Sequence, residues 1–460
     1  MLNKKAILLI GAISFFLLLV LSIVFYKERT CFVDIAFHLF YILKDNDFAI
    51  QNYRFGAFFT QLFPLSSAYL GLNLKSITIA YSMSFVLLPF IVFLLILLIL
   101  KNQKIAIAYL FFAVLMTTHT FYWIQSELPQ AMAFFFIYLA LFDNYLEGKK
   151  NNLYLYYSIS LILISIFAFT HPLMLIPFSF TLFYFWIIYK NKRKEIYIQV
   201  FLFSIIYLIK AIFFKTKYDS QAMDGLHNFK KLFPDYFTLK SNLYFFHYLI
   251  KDYYFLLLFF IVTVIYFLRN RNFLKLTLVI AYFIATTLLI NITYPNGANQ
   301  FYIENQYQLL AYIVILPFTY EIYNFAKNKS IQFGIISLIS LVCSFRIINT
   351  SDIYIARLNW NRNIISNTNN LSNKKLIIPN TQVPSDTLMM TWSTSYEIWL
   401  LSTIETDTSR SIIIEEQENE FDYALSSNKS FLTKWGSFDY TDLNPKYFHF
   451  FDTTNYVKLK

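Results

Sequence analysis

Residues 1–28 read MLNKKAILLIGAISFFLLLVLSIVFYKE. Two lysines precede an unbroken apolar run from Ala6 to Phe25, and Tyr26, Lys27 and Glu28 follow it. A cleaved secretory signal has an apolar core of about 7–15 residues and a small-residue cleavage site. This run is longer, so it reads as a retained signal anchor with its N-terminus in the cytoplasm. That reading orients every later segment.

Composition supports a membrane protein. Of 460 residues, 57% are hydrophobic and only 14% charged, against about a quarter charged in soluble domains. The 21% aromatic content runs with abundant Ile, Asn and Lys, a compositional bias that marks no aromatic site. The net charge of +11 is spread over short loops between apolar runs, which excludes a nucleic-acid surface and fits positive loops on the cytoplasmic side. A span needs about 20 apolar residues. About eleven candidates follow by that measure: Ala6–Phe25, Ile77–Leu100, Ile105–Tyr122, Leu128–Leu146, Leu153–Phe169, Leu173–Tyr189, Ile196–Phe214, Tyr253–Leu268, Leu276–Ile292, Leu309–Phe325 and Ile331–Ile348. Every second connection is basic: Lys101 and Lys104; Lys149 and Lys150; Lys190, Lys192, Arg193 and Lys194; Arg269, Arg271 and Lys275; Lys327 and Lys329. The predicted fold is therefore an all-α polytopic membrane protein, N-terminus in and C-terminus out. Residues 1–348 form the membrane domain, with a large first outer loop over 27–76. Residues 349–460 form a small extracytoplasmic α/β domain.

Within that domain, Lys375–Ile378, Leu388–Thr391, Ser411–Ile414, Tyr447–Phe451 and Tyr456–Leu459 read as strands, and Ser395–Ile404 as a helix. Cys31 and Cys343 lie near span ends on the outer side; two cysteines make neither a disulfide framework nor a metal site, and a single bridge between them stays open.

The outer loops hold most of the polarity that could carry chemistry. The first, Cys31–Lys75, reads CFVDIAFHLFYILKDNDFAIQNYRFGAFFTQLFPLSSAYLGLNLK. Asp34 and His38 are spaced i, i+4 and share one face of a helix, with apolar neighbours suited to the membrane boundary. An ionised Asp34 there can take a proton from an attacking hydroxyl; the plainer reading is a helix cap. Arg54 can pair with a phosphate or carboxylate, or with a neighbouring aspartate. Glu127, in QSELPQ, is either a second catalytic carboxylate or a helix-start residue behind Ser126. His171, in a Thr-His-Pro turn, can hydrogen-bond a phosphate or sugar, or be an ordinary interfacial turn histidine. Lys210 and Arg346 are cations inside apolar runs, where charge is costly and marks candidate function, unless the side chains snorkel. Glu304 precedes the tenth run. His119 carries less weight.

The arrangement of a signal anchor, a large first outer loop with an early Asp in FVDIAFH, many spans and an outer C-terminal domain resembles the GT-C superfamily of integral membrane glycosyltransferases. The resemblance implies a polyprenyl-phosphate sugar donor, a first-loop Asp as catalytic base, falling on Asp34, and an inverting displacement. It departs from that pattern in having no adjacent acidic pair at Asp34, so a divalent cation as cofactor stays open. The function expected is sugar transfer to a glycan, lipid or protein acceptor at the outer face of a bacterial inner membrane. Asp34 and Glu127 would be catalytic, and His38, Arg54, His171, Lys210, Arg346 and Glu304 would bind substrate. Alternatives are an O-antigen-type polymerase or ligase, a flippase for lipid-linked glycans, and a membrane-anchored assembly protein.

Overall fold

The computed structural model describes residues 2–149, 152–217, 225, 227–323, 328–368 and 374–459. Lys150, Lys327 and part of the 215–252 connection lie outside them. The chain is mostly helical, with a small sheet region near its C-terminus. The helices that matter here are α1 (Lys4–Val24), α2 (Tyr26–Thr30), α3 (Val33–Asp45), α4 (Phe58–Tyr69), α5 (Leu74–Leu94), α6 (Gln103–Leu115), α7 (Glu127–Leu146) and α8 (Leu153–Thr170). They continue as α9 (Leu175–Ile188), α10 (Arg193–Phe213), α11 (Lys240–Lys251), α12 (Tyr254–Arg269), α13 (Phe273–Thr293), α14 (Gln300–Glu321), α15 (Lys329–Thr368) and α16 (Thr394–Thr406).

Among the described residues, six helices are long and apolar enough to cross a membrane: Lys4–Val24, Leu74–Ile99, Leu153–Thr170, Lys190–Phe213, Phe273–Thr293 and Lys329–Thr368. A seventh arises if α11 and α12, bent by 90° at their junction, count as one. Each of the six overlaps one of the eleven sequence candidates. The other candidates take different forms. α6 stops at Leu115, and α9 has only 14 residues. α7 and α14 are long, but they are packed inside the bundle and carry buried polar groups, Gln130, Asp143 and Asn144 on one and Glu304, Asn305 and Gln308 on the other. A helix surrounded by other helices meets protein instead of lipid, so it tolerates polar residues that an outer helix does not.

Close packing at small residues joins α1 to its neighbours. A side chain at Gly11 would sit 2.3 Å from the Phe93 ring of α5. The Ser14 and Ser340 hydroxyls hydrogen-bond at 2.8 Å between α1 and α15, the kind of polar contact that joins membrane helices.

α15 runs without a break from Lys329 to Thr368, so the last predicted span and the start of the tail form one helix. Beyond it, β1 (Leu376–Pro379) lies between β2 (Ile412–Glu415) and β5 (Val457–Lys458), parallel to both. β3 (Ser430–Thr433) and β4 (Gly436–Asp439) form a separate antiparallel hairpin, which the sequence reading lacked. α16 and β1, β2 and β5 fall on the predicted runs. Two strand expectations are corrected. Ser385–Leu388 closes into a helical turn, and Met389 follows with a φ of 57°, which ends any extension there. Tyr447–Phe451 pairs with no strand; its buried Tyr447 and Phe448 serve as core, with Phe448 stacked on Trp399 at 4.7 Å.

The sheet region and α3 share one hydrophobic core. Phe40 of α3 sits among the rings of Tyr396, Trp399, Phe431, Phe438 and Phe448, at centroid distances of 5.1–5.5 Å. Burying an aromatic side chain in such a cluster is worth about 1.5–3 kcal/mol. The tail therefore holds the helix that carries Asp34.

Candidate functional site

The turn into α3 is strained. Val33 has a φ of +41°, which a β-branched residue adopts only when its surroundings impose it. Its N–H donates to Glu397 Oε1 at 2.9 Å. Glu397 lies on α16, is fully buried, and receives Arg357 Nε at 2.8 Å and Arg357 Nη2 at 2.7 Å. The Ser393 hydroxyl donates to the same carboxylate at 2.5 Å. The Arg357 guanidinium lies over the Phe32 ring at 5.2 Å. An ion pair buried in the tail thus grips the peptide directly before Asp34.

Asp34 is the second residue of α3; the cap position is Phe32, with no side-chain cap bond. Its Oδ2 accepts from Trp123 Nε1 at 2.7 Å. Burial pushes its carboxyl up, Trp123 and Arg54 pull it down, and Glu127 raises it again, leaving it at about 6. Asp34 is thus largely ionised at pH 7, close to the value that suits a general base. Arg54 Nη1 and Glu127 Oε2 form an ion pair at 2.8 Å, both side chains mostly buried. Glu127 opens α7 behind Ser126, so its helix-start position and its pairing with Arg54 coexist.

His38 lies one turn beyond Asp34. Its Nδ1 is 2.9 Å from the Ala49 carbonyl oxygen; a carbonyl only accepts, so Nδ1 carries the proton and Nε2 presents a lone pair. Burial lowers this ring to about 4, so it is neutral at pH 7. Gln61 fixes the same peptide, accepting from the Ala49 N–H at 2.8 Å and donating to its carbonyl at 3.1 Å.

His171 sits at the end of α8. Its Nδ1 accepts from the Leu173 N–H at 3.2 Å, which leaves Nε2 as the N–H donor. Burial, then Arg54 and Lys210, hold it well below the usual histidine range. Lys210 donates to the Ala168 and Phe169 carbonyls at 3.0 and 3.2 Å, closing the C-terminal turn of α8. Gly56, in the turn after Arg54, packs on that same end. A Cβ there would meet Thr170 Oγ1 at 2.2 Å.

Asp34, Glu127, Arg54 and His38 therefore form one electrostatic cluster, and His171 and Lys210 adjoin it through Arg54. Glu304 and Arg346 occupy a different place. Glu304 accepts from the Thr118 and Thr120 N–H groups, the Thr120 hydroxyl and the Tyr253 hydroxyl at 2.8–2.9 Å. Arg346 donates to the Leu115 carbonyl at 2.8 Å and to the Asp252 carbonyl. Both fix the chain where α6 ends, as does His119, whose Nδ1 is 3.1 Å from the Tyr354 hydroxyl. Among the described residues, no three His, Cys, Asp or Glu side chains are grouped to hold a metal ion, and both cysteines are buried free thiols.

The sequence reading lacked Trp123 and the Arg357–Glu397 pair. Trp123 stands four residues before Glu127, and that proximity was its only local signal. No family model matches the chain, and no curated protein or solved structure matches it significantly.

Proposed function

We propose that this chain is an integral membrane glycosyltransferase that moves a sugar from a polyprenyl-phosphate donor to an acceptor hydroxyl at the outer face of a bacterial inner membrane. With about eleven membrane-embedded segments, N-terminus in and C-terminus out, as hydropathy and the basic loops favour, the Asp34 cluster would lie on that face. The observation that supports the reading best is the Asp34 carboxyl: raised to about 6, held by one indole N–H, and influenced by the Arg54–Glu127 pair. The acceptor oxygen bonds to the anomeric carbon as the bond to the donor phosphate oxygen breaks. The electrons of that bond leave with the phosphate, and Asp34 receives the acceptor's proton. Arg54 is the cation placed to offset charge developing on the phosphate, and Glu127 holds Arg54 in position. His38, neutral, offers Nε2 as an acceptor for a sugar or acceptor hydroxyl, and His171 offers an N–H.

The test is Asp34→Asn in membranes supplied with a polyprenyl-phosphate sugar. Transfer should fall by about 10²–10⁴-fold while the protein still inserts. Undiminished transfer would remove Asp34 from the chemistry.

A further inference from the structure

Arg29 has the least satisfied buried charge in this part of the molecule. It lies on α2 and is 1% exposed. Nη2 donates to the Ser82 carbonyl at 2.9 Å, and the guanidinium lies 4.0 Å from the Phe121 ring centre. Nε and Nη1 have no hydrogen-bond partner. Among the described residues, no carboxylate lies within ion-pair distance of it. A buried guanidinium left this way is costly unless an anion completes it, and its planar fork suits a phosphate.

Arg29 forms part of the wall of a groove lined by α1, α5, α6 and α7. The wall includes polar side chains, Thr117, Thr120, Ser126, Gln130 and Gln308. The Gln308 Oε1 is also without a partner. It also includes apolar ones, Phe15 and Leu18 of α1, Val86 and Leu88 of α5, and Phe112 of α6. Phe15 and Val86 also line a second apolar hollow, where Ile13 and Phe16 are 48% and 63% exposed on the outer surface of α1. The groove at Arg29 and the hollow on the outer surface of α1 thus share two wall residues, Phe15 and Val86.

We infer that this groove is a binding site for a membrane lipid with a phosphate head, its phosphate meeting Arg29 and its chain lying against the apolar side chains that α1, α5 and α6 give to the wall. Charge complementarity selects the head, and the apolar side chains that share the groove with Arg29 select a lipid over free phosphate. The inference stands apart from sugar transfer, since a lipid can bind here whether or not Asp34 takes a proton. The two places do touch: Trp123 lines the groove and donates its N–H to Asp34.

The test is binding of dodecyl phosphate to the full-length purified protein in mild detergent, with dodecanol and inorganic phosphate as the tail-only and head-only probes. Wild type and Asp34→Asn should bind dodecyl phosphate equally. Arg29→Gln should weaken that binding at least tenfold and leave dodecanol binding unchanged. Ala113→Leu, which narrows the groove and keeps Arg29, should weaken both, and it carries the test if Arg29→Gln does not fold. Inorganic phosphate should not compete at equal concentration. Equal affinity of Arg29→Gln and wild type, competition by inorganic phosphate, or full binding by Ala113→Leu would each overturn the site.

Discussion

At the residue scale, the charge of Asp34 depends on two neighbours of opposite sign. Glu127 raises its proton affinity and Arg54 lowers it, with burial the larger cause. If Asp34 is the base, transfer requires its ionised form. The rate should be flat above about pH 6 and fall about tenfold for each unit below it. The neighbours then give opposite shifts. Removing the like charge with Glu127→Gln should move the midpoint down, and removing the opposite charge with Arg54→Gln should move it up. A pH profile of transfer at saturating donor checks both, and unchanged midpoints would separate the ion pair from Asp34. The histidines add no charge above pH 7, because burial keeps both neutral.

At the element scale, Arg54 is placed by a contact between a loop and a helix end. The turn at Gly56 packs on Thr170, with no room for a β-carbon. Gly56→Ala should cost about 1–3 kcal/mol of stability through overpacking and displace Arg54 from Glu127, lowering transfer. Adding Thr170→Ala removes both the hydroxyl and the methyl nearest that β-carbon, so the double variant should recover much of the loss in thermal unfolding and in rate. Failure to recover would mean that Gly56 matters for another reason. This contact was not legible beforehand, because glycine and threonine each look ordinary in sequence and over a hundred residues separate them. What was legible was local. The i, i+4 spacing of Asp34 and His38 does fall on one helix, and Ser126 does precede a helix start. Lys210 and Arg346 were conspicuous as cations in apolar runs, yet they donate to helix-end carbonyls, a partner that hydropathy cannot display. Arg29 escaped notice because a basic residue just past a span resembles an ordinary flank.

At the scale of the whole molecule, the tail and the first loop form one structure. Phe40 lies in the aromatic core of the sheet region, and Val33 is held by Glu397. Removing Glu397 leaves Arg357 charged and buried, so Glu397→Ala should cost about 3–5 kcal/mol, read by denaturant unfolding. It should also release the strained φ at Val33 and reduce transfer more than binding of the donor. An equally stable variant would show that the pair is dispensable. Hydropathy by length alone did not separate outer helices from enclosed ones for a related reason: α7 and α14 are apolar and buried in protein, and composition does not distinguish burial in protein from burial in lipid.

α15 has 40 residues, about 60 Å at 1.5 Å per residue, roughly twice the thickness of a bilayer's hydrocarbon. It works as a screw whose thread is counted in residues. One extra residue between Ile347 and Tyr354 would advance it by about 1.5 Å and rotate everything beyond by about 100°, turning Glu397 away from Val33 and Phe40 out of its ring of aromatics. The bearing of Asp34 is thus set by the pitch of a shaft more than three hundred positions downstream.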